Sequence, residues 1–98
     1  MLQEFDAAKY LDNPEAIAGF IEGAFEMAAE EGDPSIITMA LGVIARAKGM
    51  TALARESGMT REGLYKALGE NGDPRLSTLM GVMSALGLTL SATGKEAA

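Results

Sequence analysis

Apolar residues recur every three or four positions in the first long segment of the chain, which is the spacing of one face of an α-helix. Asn13-Pro14-Glu15 precede this segment and combine an N-cap residue, a proline suited to the first helical position and an acid for the first turn. The apolar face consists of Ile17, Phe20, Ile21, Ala24, Phe25 and Ala28. The pattern predicts a helix that begins at Asn13-Pro14 and ends near Gly32.

The same start and stop signals then occur a second time. Asp33-Pro34 repeats the start signal, and Lys48-Gly49 has the basic residue and the glycine that are typical of a helix end. The apolar positions between them are Ile36, Ile37, Ala40, Leu41, Ile44 and Ala45. A second helix is therefore predicted over this stretch.

Two short helices are predicted next, separated by a glycine turn. Thr51 is a candidate cap for a helix that runs through Ser57, and Thr60 is a candidate cap for a helix that runs to about Leu68. Gly58 interrupts the segment between them.

Turn residues separate these short helices from a fifth helix that ends at Gly87. The turn is Asn71-Gly72-Asp73-Pro74, and the apolar positions after it are Leu76, Leu79, Met80, Met83 and Leu86. Residues 88–91 then alternate apolar and polar, which favours a short strand that is too small to stand alone. We therefore predict an all-α fold of five helices, with or without a short C-terminal strand, and a loose tail from Thr93.

Composition narrows the possible functions. The 98 residues favour one domain over two, and the absence of histidine and cysteine excludes thiolate nucleophiles, disulfides and the common zinc sites. We expect no metal, no cofactor and no small-molecule substrate. The apolar stretches are interrupted well before the roughly 20 residues that span a bilayer, and no leader pattern is visible, so we expect a cytoplasmic protein.

Charge is distributed unevenly along the chain. The formal net charge is -6, but residues 1–34 hold nine acids against one base, whereas residues 35–98 hold seven bases against five acids. The two parts therefore carry -8 and +2. This asymmetry indicates two surfaces with different partners, although acids that only solvate a helix face would give the same count.

Residues 50–69, with the sequence MTALARESGMTREGLYKALG, have the arrangement of a helix-turn-helix. Ala54 is small where two helices would cross closely, and Gly58 tolerates a left-handed turn. The apolar positions that would face the core are Leu53, Met59, Leu64 and Leu68. The helical period then leaves four side chains on the outer face of the second helix: Arg61, Glu62, Tyr65 and Lys66.

The outer side chains suit the major groove of DNA. Arg61 is suited to bidentate contact with guanine, and Glu62 can accept a hydrogen bond from cytosine. Thr51 and Thr60, at the predicted helix starts, and Lys48 and Lys66 are candidates for phosphate contacts. An ordinary helical hairpin with solvated Arg and Lys side chains is the alternative interpretation of the same spacing.

The segment from residue 50 to residue 88 resembles the helix-turn-helix of the Xre/phage-repressor superfamily. Ala54, Gly58 and Leu64 match its positions, and Asn71-Gly72-Asp73-Pro74 followed by Leu76-Ser77-Thr78-Leu79 matches its continuation. Nearly the whole chain is similar to the probable addiction-module antidote family, the HigA-like antitoxins. The segments that carry this similarity are FDAAKYLD at residues 5–12, GDP at 32–34, ARAKGMT at 45–51 and TREGLYKAL at 60–68.

The resemblance implies an antitoxin that binds a small basic RelE-like toxin encoded beside it and represses their shared operon, usually as a dimer. Carried over position by position, it assigns DNA reading to Thr60, Arg61, Glu62, Tyr65 and Lys66, and phosphate contact to Thr51. On this basis we divide a single domain, residues 1–98, into an acidic extension with the first helix (1–34), a DNA-binding core (35–92) and the tail (93–98).

A homodimer is also expected from the residues, because one recognition helix reads too few base pairs for useful specificity. The predicted dimer surface includes the fifth helix and residues 88–91. Three other functions stay open: a stand-alone prophage-type repressor without a toxin, a helical adaptor that binds only protein, and an enzyme. The enzyme would rely on paired carboxylates, Glu30 with Glu31 or Glu22 with Glu26.

Overall fold

The computed structural model describes residues 13–95 of the chain. Within this range the protein is all-helical, which confirms the predicted fold class. The five helices are α1 (Pro14–Glu31), α2 (Ser35–Lys48), α3 (Met50–Glu56), α4 (Arg61–Ala67) and α5 (Leu76–Ala85). Residues 1–12, with the first acids of the predicted extension, and residues 96–98 of the predicted tail lie outside the described residues.

The start signals read from the sequence lie at the observed helix starts. Asn13 caps α1 with its side chain, whereas the N-cap residue of α2 is Pro34, which makes no side-chain cap bond. Asn13 Oδ1 accepts a hydrogen bond from the backbone N–H of Ala16 at 2.8 Å, and Pro14 is the first residue of α1. Ahead of α2, Asp33 Oδ1 accepts hydrogen bonds from the backbone N–H of Ser35 at 3.0 Å and from its hydroxyl at 2.6 Å. The predicted boundaries of the first two helices are therefore confirmed.

All five helices contribute to one buried cluster. Its most deeply buried large side chains are Ile17 of α1, Leu41 and Ile44 of α2, Leu64 of α4 and Val82 of α5. α1 packs chiefly on α2, whereas α3 contacts α2, α4 and α5. This central position of α3 means that the short helices are held by the core as well as by their own turn.

The fifth helix turns only part of its predicted apolar face toward the core. Leu76 and Met80 were assigned to its apolar face, but their side chains are 67% and 53% exposed. Met83 and Leu86, from the same predicted set, are buried, and so is Val82, which the pattern did not include. Apolar residues surround much of this helix, so its rotation is decided by packing against α3 rather than by its own pattern.

The short strand expected at residues 88–91 is not formed in the described part of the chain, where residues 88–95 have no regular secondary structure. A strand needs a partner for its backbone hydrogen bonds, and no extended segment among residues 13–95 pairs with this one. Leu88 and Leu90 are nevertheless partly buried against the core. The alternating pattern therefore marks which side chains turn inward.

Among residues 13–95, no single helix is both long and apolar enough to cross a membrane, whereas α2 and α3, bent by 108°, pass that test as a pair by length and composition alone.

Candidate nucleic-acid interface

α3 and α4 form the predicted helical pair, with small and apolar side chains sealed between them. Ala54 is only 2% exposed and Leu64 is fully buried, as expected for the crossing point and for the inner face of α4. The backbone N–H of Met59 donates to the carbonyl oxygen of Ala54 at 2.8 Å, which ties the turn to α3. Gly58 has φ of 73°, in the left-handed region that favours glycine. The turn is therefore built as the sequence predicted.

The two threonines assigned to helix starts differ in the structure. Thr60 caps α4, because its Oγ1 accepts a hydrogen bond from the backbone N–H of Gly63 at 2.9 Å. Thr51 does not cap α3, since the helix already begins at the buried Met50 and is preceded by Gly49. The capping role predicted for Thr51 is wrong, and its side chain is exposed in the first turn of α3 instead.

The outer face of α4 carries the four predicted polar side chains, and two of them are joined. Arg61 Nη2 donates a hydrogen bond to the hydroxyl oxygen of Tyr65 at 3.3 Å, and the guanidinium carbon lies 5.0 Å from the centre of the Tyr65 ring. This is a cation–π contact between residues one helical turn apart. Glu62 and Lys66 are exposed beside the pair. Tyr65 thus limits the directions that the long Arg61 side chain can take.

Exposed basic side chains are also frequent in the segment that leads to α4. Between residues 46 and 66 there are five bases and two acids, and all seven are exposed: Arg46, Lys48, Arg55, Arg61 and Lys66 against Glu56 and Glu62. Lys48 is the last residue of α2, so it lies immediately before α3. In the described residues this segment carries a net +3, whereas α1 carries five exposed acids and no base. The opposite charges of the molecule therefore lie on different helices.

A close backbone approach supports the C-terminal end of α4. Gly72 passes so near to the carbonyl oxygen of Ala67 that a Cβ atom at this position would overlap it. The sequence showed Gly72 only as a turn residue. The contact also explains why Asn71-Gly72 follows α4 so tightly, because any other residue would push the chain away from the end of α4.

Two further features of the site were missed in the sequence. Arg61 and Tyr65 are four residues apart, which is the spacing of side chains that meet on a helix, so this contact could have been predicted from the sequence. The hydroxyl of Ser57 is buried in the turn without a hydrogen-bond partner among the described residues, and no sequence signal reveals this. No group of three or more acidic side chains within residues 13–95 is arranged to hold a metal ion.

Comparison with known proteins places the chain in a family. The family model described as a probable addiction module antidote protein matches residues 1–94. A protein of Haemophilus influenzae, described only as an uncharacterized protein, is 42% identical over 87 residues, which cover 89% of this chain and 86% of that protein. No solved structure matches the chain. The matched residues include all five helices, so the chain belongs to the probable addiction module antidote family.

Proposed function

We propose that this protein is the antitoxin of a type II toxin–antitoxin module, related to the HigA-like antitoxins and carrying a helix-turn-helix of the Xre type. It neutralises a small basic RelE-like toxin and represses its own operon by sequence-specific binding to operator DNA. Membership of the antidote family supports the antitoxin role and suggests a regulatory protein rather than an enzyme.

The observation that carries the DNA-binding part is the outer face of α4. Its cap Thr60 and its four polar side chains belong to one short helix, and no acid other than Glu62 lies on α4. In the proposed complex Arg61 reads guanine, Glu62 accepts from cytosine, and Tyr65 holds Arg61 in place. Lys48, Thr51, Thr60 and Lys66 contact phosphates on either side of the groove.

A homodimer is the proposed binding form, and α5 is its proposed contact surface. Residues 88–91, which were added to that surface as a strand, form no strand in the described part of the chain and are left out of it. Leu76 and Met80 are exposed on this helix, and no charged residue occurs between Leu76 and Gly94. Exposed large apolar side chains and few charged residues are characteristic of the centre of a protein interface. Light scattering should therefore give twice the 10.2 kDa of one chain, and a Leu76→Glu, Met80→Glu variant should give a monomer that binds a palindromic operator more weakly.

The direct test uses DNA from upstream of this gene and the protein encoded by the adjacent reading frame. The chain should bind the upstream fragment more tightly than a scrambled fragment of equal length, with an affinity that falls steeply as salt rises. It should also restore growth when produced together with the adjacent protein. Operator binding without any effect on the adjacent protein would indicate a stand-alone repressor. If the chain shows no salt-dependent DNA binding, it binds only protein and the DNA-binding part of the proposal is wrong.

A further inference from the structure

A groove of about 650 Å³ lies between α1 and the segment that follows α5. Its floor is apolar and includes Ile21 and Phe25 of α1 and Met83 of α5. The volume is in the range of pockets that enclose several side-chain groups of a ligand. This groove is distinct from the outer face of α4, since no residue of α3 or α4 lines it.

The two walls of the groove differ in chemistry. On one side, Glu22 and Glu26 are exposed at the rim, and α1 has no basic residue to neutralise them. On the other side, residues 89–93 run without regular secondary structure. In the described part of the chain, no backbone hydrogen bond joins residues 89–93 to another residue, although Leu88 donates to Met83 at 2.8 Å. This wall therefore offers free backbone donors and acceptors beside an apolar pocket.

We propose that this groove is the docking site of the basic toxin. An extended segment of the toxin pairs its backbone with residues 89–93, as in the addition of a strand to an open edge. An apolar side chain of that segment fills the groove, and flanking Lys or Arg side chains face Glu22 and Glu26. This inference rests on the proposed function, because it assigns the surface that the antitoxin uses for its toxin.

Charge favours the toxin over two other occupants of the groove: residues 1–12 of the same chain and a second copy of the chain. Residues 1–12 carry three acids against one base, a net -2, so their charge has the same sign as the rim of the groove. In the proposed homodimer a second copy makes contact through α5, and its uncharged stretch between Leu76 and Gly94 has no base to place against Glu22 and Glu26. Its basic segment, residues 46–66, belongs to the surface that the proposed function assigns to DNA. A basic partner satisfies both the apolar floor and the acidic rim.

The test compares two pairs of matched variants of the full chain. Ala18 and Ala29 are both exposed on α1, but only Ala18 lines the groove, so Ala18→Trp fills it and Ala29→Trp is the control. Glu22→Gln with Glu26→Gln removes the acidic rim, and Glu30→Gln with Glu31→Gln removes equal charge from the same helix outside the groove. Each double variant changes the net charge from -6 to -4. The probe is the purified product of the adjacent reading frame, titrated by surface plasmon resonance at several salt concentrations.

Ala18→Trp should weaken toxin binding about tenfold or more, because it removes the pocket for the central anchor. The rim variant should slow association at low salt by several-fold, and both controls should stay within about twofold of the wild type. All variants should keep the helical circular dichroism spectrum of the wild type. Light scattering of each variant without the probe tests occupation by a second copy.

The outcomes separate this inference from the function on which it rests. If the wild type binds the adjacent protein and the groove variants bind equally well, the toxin docks elsewhere and only the groove assignment is overturned. If Ala18→Trp changes the mass of the free protein but not toxin binding, the groove is a contact between copies. If the wild type fails to bind the adjacent protein, the antitoxin function itself is overturned.

Discussion

Replacement of Arg61 by alanine tests whether the outer face of α4 reads DNA. The side chain is exposed and contacts Tyr65 through a 3.3 Å hydrogen bond and a cation–π contact at 5.0 Å. At an exposed site such a cation–π contact contributes about 0.5–1 kcal/mol. Arg61→Ala should therefore lower the free energy of unfolding by no more than about 1 kcal/mol, and the fold should persist.

The effect on DNA binding should be larger and confined to one base pair. Loss of a bidentate guanine contact costs about 1–3 kcal/mol, which corresponds to about 5- to 150-fold in affinity. Fluorescence anisotropy against a panel of operators with single base-pair changes, at constant salt, measures this directly. The variant should lose discrimination at the position that Arg61 reads and keep it at all others.

Arg55→Ala is the matched control for charge. Arg55 is exposed in the last turn of α3, so the variant removes one positive charge without touching the outer face of α4. It should weaken binding to every operator by a similar factor and reduce the salt dependence. If Arg61→Ala also weakens every operator uniformly, Arg61 contacts only phosphate. An unchanged operator footprint with Arg61→Ala would refute the groove assignment.

Three stability predictions follow from the contacts of the helix pair, and thermal unfolding measures each. Ala54→Leu should destabilise the protein by about 1–3 kcal/mol, because the 2% exposed crossing has no room for the added methylenes, and wild-type stability would place the crossing elsewhere. Thr60→Ala should lower the free energy of unfolding by about 0.5–2 kcal/mol, because it removes the cap of α4. Thr51→Ala changes an exposed position that caps no helix, so the free energy of unfolding should change by about 0.5 kcal/mol at most. Equal losses in both threonine variants would contradict the cap assignment. Ser57→Ala should leave the free energy of unfolding equal or raise it by up to about 1 kcal/mol, because the buried hydroxyl has no hydrogen-bond partner in the described chain. A clear loss of stability would mean that a water molecule bonds this hydroxyl.

Helix boundaries could be predicted because they depend on residues that are close in the chain. Asn13 and Thr60 bond backbone N–H groups three residues ahead, so their effect does not wait for the rest of the fold. The left-handed φ of Gly58 is likewise a property of one residue and its turn. The same local reasoning assigned Leu64 to the core and Arg61 to the surface, since a short helix with one apolar face has one stable orientation.

Where the local sequence allowed more than one helix start or more than one buried face, tertiary packing determined which one forms. Thr51 offered a cap, but Met50 is buried and α3 starts there, two residues before the start that a Thr51 cap would give. α5 is apolar around much of its circumference, so contact with α3 selected Val82 for the core and left Leu76 at the surface.

Features that depend on contacts between distant parts of the chain could not be predicted from local sequence patterns. Residues 88–91 alternate as a strand would, but a strand forms only beside a partner that the described residues do not contain. The groove beside α1 exists because this segment returns to a helix more than 60 residues earlier in the chain. Local sequence determined the helices and the outer face of α4, since caps and periodicity act over a few residues. Only the tertiary structure decided the face of α5, the unpaired segment and the groove, because each depends on contacts whose energy the local sequence does not contain.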